Sequence, residues 1–244
     1  MQVRMLGTGG YHPNSRRHTA CVAIPELGLV LDCGSSAFRL QREISTSELD
    51  IVLTHAHLDH ICGLTYLLVP MMTKQWHAVR VHATANVLDA VKTHLFAQPV
   101  FPVLPTFDFR ELTGDMTFPS ATLRHIPLNH PGGSRGFRLD LADGKSLAYI
   151  TDTTVDGSYT DFIRGVDVLI HECYFPDAHA QWCKPTGHSH TTQVAQLAKD
   201  AGVTRLYLTH IDPQRPDDDP IDIATARKIF PETTLAEDEI TIEL

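Results

Sequence analysis

No run of about 18 apolar residues occurs in the 244-residue chain, so no transmembrane helix is expected. The opening Met1–Gly7 stretch lacks the long apolar core of a signal peptide, and the expected location is the cytoplasm. No Cys-x-x-Cys pair occurs among Cys21, Cys33, Cys62, Cys173 and Cys183. An odd count without paired spacing suggests neither a disulfide framework nor a cysteine-based zinc site. Buried small hydrophobes are the expectation for these thiols. An excess of positive charge is also missing. The formal net charge of −9 disfavours broad binding to nucleic acid or anionic lipid. Arg16, Arg17, Arg39 and Arg42 gather in one N-terminal stretch, where solvated surface is the ordinary outcome. Linkers, low-complexity tracts and short repeats are absent too. Residues 1–244 are therefore expected to form a single domain, long enough to bury a large core.

What the chain has in surplus is histidine, fifteen in all, and their placement follows the secondary-structure pattern. Short apolar runs bounded by Gly or Pro read as strands at Val3–Leu6, Ala20–Ile24, Leu29–Asp32, Ile51–Thr54, Val79–His82 and Phe107–Phe109. A second set falls at Met116–Phe118, Thr122–Ile126, Gly136–Leu141, Leu147–Thr151, Val166–Ile170, Leu206–Thr209 and Glu239–Leu244. Asp143-Gly144 marks a hairpin turn. Helices are expected at Ala37–Ile44, Leu58–Thr73, Thr84–Phe96, Thr191–Ala201 with Gly202 as its C-cap, and Ile221–Ile229. Strands then helices, twice over, fit two sheet-plus-helix halves of the α+β class packed sheet to sheet. They do not fit one doubly wound parallel sheet.

His55-Ala56-His57-Leu58-Asp59-His60 directly follows the strand Ile51–Thr54. Ligands at the exit of a buried strand sit on a loop fixed by a rigid scaffold. Three imidazoles and a carboxylate in six residues suit zinc or manganese better than calcium or magnesium. In an extended segment His55 and His57 point the same way and can share one ion. Asp59 and His60 come as a helix begins and can turn to a second. Three single residues join them. His130 lies in a loop between strands, where a plain turn histidine is the alternative. Asp152 follows the strand ending at Thr151, where a capping or turn Asp is the alternative. His210 follows Leu206–Thr209, where a buried, hydrogen-bonded histidine is the alternative.

This H-x-H-x-D-H stretch, with the later His, Asp and His, resembles the metallo-β-lactamase fold superfamily. The resemblance implies a four-layer αββα sandwich with a dinuclear site holding two divalent ions, zinc or manganese. By that likeness His55, His57 and His130 bind one ion, Asp59, His60 and His210 the other, and Asp152 bridges them. A narrower resemblance is to ribonuclease Z and its smaller phosphodiesterase relatives. Leu6-Gly7-Thr8-Gly9-Gly10 with Pro13 and Arg16 resembles that group's first motif, and Leu31-Asp32-Cys33-Gly34 its second. Ile170-His171-Glu172-Cys173 resembles its H-E-A-T stretch, and Gly187-His188-Ser189-His190 its H-S-T stretch with His190 replacing Thr. Leu208-Thr209-His210-Ile211 resembles the last ligand segment. The long arm with which ribonuclease Z grips transfer RNA has no room here, because the His130–Asp152 and Tyr174–Gly187 stretches are short. Flavin-dependent di-iron relatives carry Glu where this chain has His57, which favours a redox-inert hydrolytic metal.

Water held between two cations loses a proton near neutral pH, and the cations offset charge at the attacked centre. Asp59 and Asp152 are expected to orient it. His188 is the candidate acid for the leaving oxygen, the alternative being a mere helix cap, and Glu172 is the candidate to orient His188. His171 and His190 are expected to be structural, Asp32 to hydrogen-bond a ligand histidine, and Arg16 to meet a phosphate oxygen. The leading expectation is a hydrolase of a small or cyclic phosphodiester, with transfer RNA and membranes disfavoured as partners and a homodimer compatible. A lactone, thioester or β-lactam hydrolase is the second reading, and a non-catalytic metal sensor the third.

Overall fold

The apolar runs become strands in the computed structural model, which describes residues 1–215 and 217–244. The chain forms two compact units. One comprises Met1–Thr113 with Asp238–Glu243, the other Gly114–Glu237 with Leu244.

In the first unit β1 (Gln2–Gly7), β2 (Cys21–Ile24), β3 (Leu29–Leu31), β4 (Glu48–Val52), β5 (Ala78–Ala83) and β6 (Asp108–Glu111) follow one another along the chain. In the second come β7 (Met116–Phe118), β8 (Ala121–Leu128), β9 (Ser134–Leu141), β10 (Ser146–Ile150), β11 (Val168–Glu172), β12 (Arg205–Thr209) and β13 (Thr233–Leu235). The chain then returns β14 (Ile240–Glu243) to the first unit. The first sheet has the order β14-β1-β2-β3-β4-β5-β6, the second β13-β12-β11-β10-β9-β8-β7. In the first, β3 to β6 run parallel and the remaining pairings are antiparallel. In the second, β10 to β13 run parallel and β7 to β10 form an antiparallel meander. The fold is α+β with two mixed sheets.

Strand sequence follows strand position. Every residue of β10 and β11 is buried, as continuous apolar strands in a parallel sheet are. In β9 buried positions largely alternate with half-buried ones, the signature of one covered face. The helix Thr191–Ala201 buries Val194, Ala195, Leu197, Ala198 and Ala201. These join Leu169, Leu206 and Ile211 in the second unit's core, at about 1.5–3 kcal/mol for each fully buried large aliphatic side chain. Gly202, at φ 65°, ends the helix.

Several expected elements differ, among them Ala37–Ile44, which is a tight turn at Ser35–Arg39 followed by a short helix at Leu40–Glu43, and Ile51–Thr54, whose strand runs Glu48–Val52. Leu58–Thr73 is not one helix but Leu58–Ile61, a tighter turn at Cys62–Leu67, and Leu68–Met72. Gly63 donates its amide to Cys33 O (2.8 Å), and a Cβ there would lie 2.2 Å from Gly34 O. The segment is pressed onto neighbouring backbone, and that contact takes an amide from the helix. Thr84–Phe96 begins as the helix Ala85–Ala90 but widens at Val91–Leu95. The strand expected at Phe107–Phe109 begins at Asp108. No described helix is long and apolar enough to cross a membrane.

Four of the five cysteines are buried and Cys62 is half-buried, all as free thiols. Burial pushes the Cys183 thiol up to about 12, which keeps it protonated and inert near neutral pH. Two of the four N-terminal arginines, Arg17 and Arg39, depart from the expected solvated surface, and Arg42 is exposed as expected. Arg17 is buried, with its guanidinium on Thr8 Oγ1. Arg39 is largely covered and pairs with Asp238 (2.7 Å) and Glu239 (3.0 Å). Arg16 is exposed.

Candidate metal centre

Most ligand candidates of both units emerge where parallel strands end, and His130 lies in the hairpin between β8 and β9. In the first unit the histidine-rich stretch leaves β4, and neighbouring β3 delivers Asp32 one residue past its last, at φ 60°. Asp32 is fully buried. Its Oδ1 accepts from Thr54 N (2.8 Å) and Thr54 Oγ1 (2.9 Å). Its Oδ2 accepts from His60 Nδ1 (2.8 Å). A carboxylate only accepts, so the His60 proton sits on Nδ1 and the lone pair on Nε2. Thr54 Oγ1, having given its proton to Asp32, accepts from His55 Nδ1 (2.9 Å), which fixes the same tautomer in His55. One carboxylate thus orients two imidazoles. His60 Nε2 lies 3.3 Å from Asp59 Oδ2, and the His55 ring centroid is 4.4 Å from those of His57 and His60. Asp59 Oδ2 also accepts from the Tyr11 amide (2.8 Å).

In the second unit Asp152 and His210 stand two residues and one residue past the ends of β10 and β12. Their φ values are 51° and 56°. Register explains their proximity: Ile150 aligns with His171 and His171 with Leu208, so both side chains leave the sheet edge beside the end of β11. Left-handed backbone is uncommon outside Gly, and three of the seven non-Gly residues that adopt it among the described residues, Asp32, Asp152 and His210, stand at these strand ends. Asp152 faces two imidazoles, Oδ1 lying 3.7 Å from His130 Nε2 and Oδ2 lying 3.4 Å from His210 Nε2. Thr151 Oγ1 donates to Oδ2 (2.7 Å). His130 Nδ1 donates to Gly187 O (2.9 Å). That contact needs glycine, because a Cβ at Gly187, φ 76°, would meet Pro131 Cδ at 2.2 Å. Burial lowers the His130 pKa, outweighing the raising pull of Asp152, and neutral imidazole is the form that binds metal.

The Glu172 carboxylate is wholly buried at the end of β11. Its Oε1 accepts from Thr153 N (2.7 Å) and His188 Nδ1 (3.0 Å), and its Oε2 from Ser189 N (3.1 Å). Asp152, His188 and His210 bring ligand atoms within 4.8 Å of one another. His188 is not a helix cap, since the residue before the helix is His190. His190 Nδ1 donates to Asp177 Oδ1 (2.7 Å), which also accepts from Thr192 N at the helix start (2.8 Å). His171 lies buried between Tyr159 Oη (2.8 Å) and its neighbour's carbonyl, Glu172 O (2.7 Å). Both histidines are held in structural contacts. Sequence reasoning did not single out Thr54, Gly187, Thr153 or Tyr174. Only the adjacency of Thr54 to His55 offered a local signal.

The donors fit divalent metal. Imidazoles whose Nδ1–H is held by a carboxylate, hydroxyl or carbonyl present Nε2 in fixed directions, as metal-binding histidines do. Each unit also supplies a carboxylate beside those Nε2 atoms. A family model for the beta-lactamase superfamily domain matches residues 29–211. The chain belongs to the β-lactamase superfamily. Among superfamily relatives, "Ribonuclease Z" of Gloeothece citriformis is 29% identical over 306 aligned positions, covering 100% of this chain and 96% of the relative. Among solved members, human tRNase Z, short form, superposes with a TM-score of 0.78 at 22% identity, over 100% of this chain and 99% of that one. A diphosphatase from the PhnP family gives 0.76 at 21% identity, over 100% and 97%. The superpositions show that the two mixed sheets form the metallo-β-lactamase fold.

Proposed function

We propose that this protein is a metal-dependent phosphodiesterase acting on a small or cyclic phosphodiester, with zinc or manganese held by His55, His57, Asp59, His60, His130, Asp152 and His210. When bound, the ions supply the Lewis acidity that activates water and offsets charge on phosphorus. The chain's own residues do the rest. Asp59, fixed by the Tyr11 amide, orients the attacking water. His188, fixed at Nδ1 by Glu172, passes a proton from Nε2 to the leaving oxygen.

The Glu172–His188 pair beside Asp152 and His210 carries this reading. An alkoxide leaving from phosphate needs a proton, and a buried carboxylate that holds a ring by one nitrogen aims the other. A thioester hydrolase makes no such demand, because a thiolate leaves readily without a proton. Membership alongside proteins named ribonuclease Z supports phosphodiester chemistry. Two observations support a small substrate over folded transfer RNA. This chain's 244 residues span an alignment of 306 positions. The stretch from Ser134 to Ile150 is a plain hairpin, and 177–186 is two short helical turns. Cytoplasmic action and a homodimer belong to the same reading.

Zinc- or manganese-loaded protein is expected to cleave bis-p-nitrophenyl phosphate, whose nitrophenolate leaves without a proton, and His188→Ala is expected to slow cleavage of a diester with an alkoxide leaving group, such as 2′,3′-cyclic AMP, by about 10²–10⁴-fold, the usual worth of a positioned acid. A fully metallated protein without diesterase activity refutes the proposal. Faster turnover of lactones or thioesters, indifferent to His188, selects the other hydrolase reading.

A further inference from the structure

Two side chains of one extended segment reach the same imidazole. Glu172 ends β11, and the chain continues through Cys173 and Tyr174 to a bridge between Phe175 and His190. Side chains two apart on an extended chain point to one side. Glu172 takes His188 Nδ1, while the Tyr174 ring lies flat on the His188 ring, with centroids 4.7 Å apart and planes within 15°. The backbone fixes this arrangement. Cys173 N donates to Thr209 O (2.8 Å), Phe175 N to Ser189 O (3.2 Å) and Thr191 N to Phe175 O (3.2 Å). Tyr174 is therefore stitched between the segment carrying His188 and the segment carrying His210. His188 also stacks on His210, at 5.3 Å and 30°, and Tyr174 completes the triangle 5.8 Å from His210.

A single hydrogen bond leaves an imidazole able to swing about the Nδ1···O axis. A ring stacked on its face removes that freedom, because a swing drives the imidazole edge into the tyrosine. Stacked aromatic pairs add an attraction beyond area burial. We infer that Tyr174 is a positioning residue that sets the ring plane of His188, and with it the direction of Nε2. What Nε2 then does rests on the phosphodiesterase reading; the positioning itself does not.

The test compares wild type, Tyr174→Phe, Tyr174→Ala, His188→Ala and the Tyr174→Ala/His188→Ala double variant. With metal content verified and 2′,3′-cyclic AMP, whose leaving group is an alkoxide, as substrate, Tyr174→Ala is expected to lower kcat by about 10–100-fold, the scale of a misaimed catalytic group. KM should move far less, and Tyr174→Phe should restore most of the loss. In the His188→Ala background, removing Tyr174 should add little, since residues acting as a unit are non-additive. In metal-free protein, the His188 ring protons should resonate upfield in wild type and Tyr174→Phe through the tyrosine ring current, and shift downfield in Tyr174→Ala. Unchanged kcat in Tyr174→Ala, a Phe variant as slow as the Ala variant, multiplicative losses, or unmoved His188 resonances would each overturn the inference. If wild type cleaves no diester, the proposed function fails alone, and the metal-free resonances still decide the role of Tyr174.

Discussion

At the scale of single residues, Asp32 shows how much one buried carboxylate organises. It binds no substrate in the proposed reaction. It accepts from Thr54 twice and from His60 Nδ1, and through Thr54 Oγ1 it also sets His55. Asp32→Asn keeps the shape but replaces one acceptor oxygen with an amide donor. That amide cannot accept from both Thr54 and His60, so at least one imidazole loses its tautomer or its aim. Loss of such outer partners costs about 10–100-fold in metal affinity. Competition with a chromophoric zinc chelator is expected to show that loss for Asp32→Asn, with the far-ultraviolet circular dichroism unchanged. Wild-type affinity in the variant would mean that the histidines are aimed by packing alone.

At the scale of elements, Asp32, Asp152 and His210 stand one or two residues beyond the ends of strands. That made much of the centre legible in the sequence. His55 to His60 are neighbours along the chain, so their spacing is visible without a fold, and the 191–201 helix announces itself through its apolar face and Gly202. Contacts made across the sheets were not legible. The hold of Tyr174 on His188 depends on how two strand ends are stitched, and a tyrosine beside a buried strand otherwise reads as core. The break at Gly63 depends on backbone 29 and 30 residues away, which no local propensity contains. The pairing of β4 with β5 is a further case. Register sets Asp50 against Arg80, and Asp50 accepts from Arg80 Nε (2.6 Å) and His82 Nε2 (2.7 Å). Burial alone would raise the Asp50 carboxyl, but these two hydrogen bonds overcome it and hold the group well below its ordinary value. A lowered folded pKa means stability that is present above the unfolded value of about 3.9 and is lost as pH falls through the folded one. Urea midpoints measured downward from pH 5 should therefore decline, and Asp50→Asn should start lower and decline less steeply. Parallel acid profiles for the two proteins would remove Asp50 from the account.

At the scale of the whole molecule, each unit repeats one plan: four parallel strands flanked by an antiparallel set, with donors at the parallel strand ends. The repeat is topological and leaves no sequence periodicity, so a search along the chain could not find it. The plan is also closed differently in the two units. The second is a nearly continuous stretch, whereas the first is finished only when the last residues return. β14 covers the edge of β1, an edge that would otherwise stand open for pairing. Asp238 enters beside it and accepts from Thr8 N (2.9 Å), Thr8 Oγ1 (2.8 Å), His18 N (2.8 Å) and Arg39 (2.7 Å). Arg39 lies 199 positions away in sequence, which is why the N-terminal arginines read as solvated charge when the sequence is taken alone. Asp238→Ala leaves the covered Arg39 guanidinium with the exposed Glu239 and the Leu6 carbonyl, and three further donors without this acceptor. Breaking a buried pair from one side costs about 3–5 kcal/mol. The two tryptophans report separately, Trp76 buried in the first unit and Trp182 exposed in the second. In a Trp182→Phe background, Asp238→Ala is expected to lower the urea midpoint seen by Trp76 fluorescence by an amount equivalent to that loss. In a Trp76→Phe background the Trp182 transition should move less, because every partner of Asp238 named above lies in the first unit. Equal shifts at both tryptophans would instead show that the two units unfold as one cooperative block.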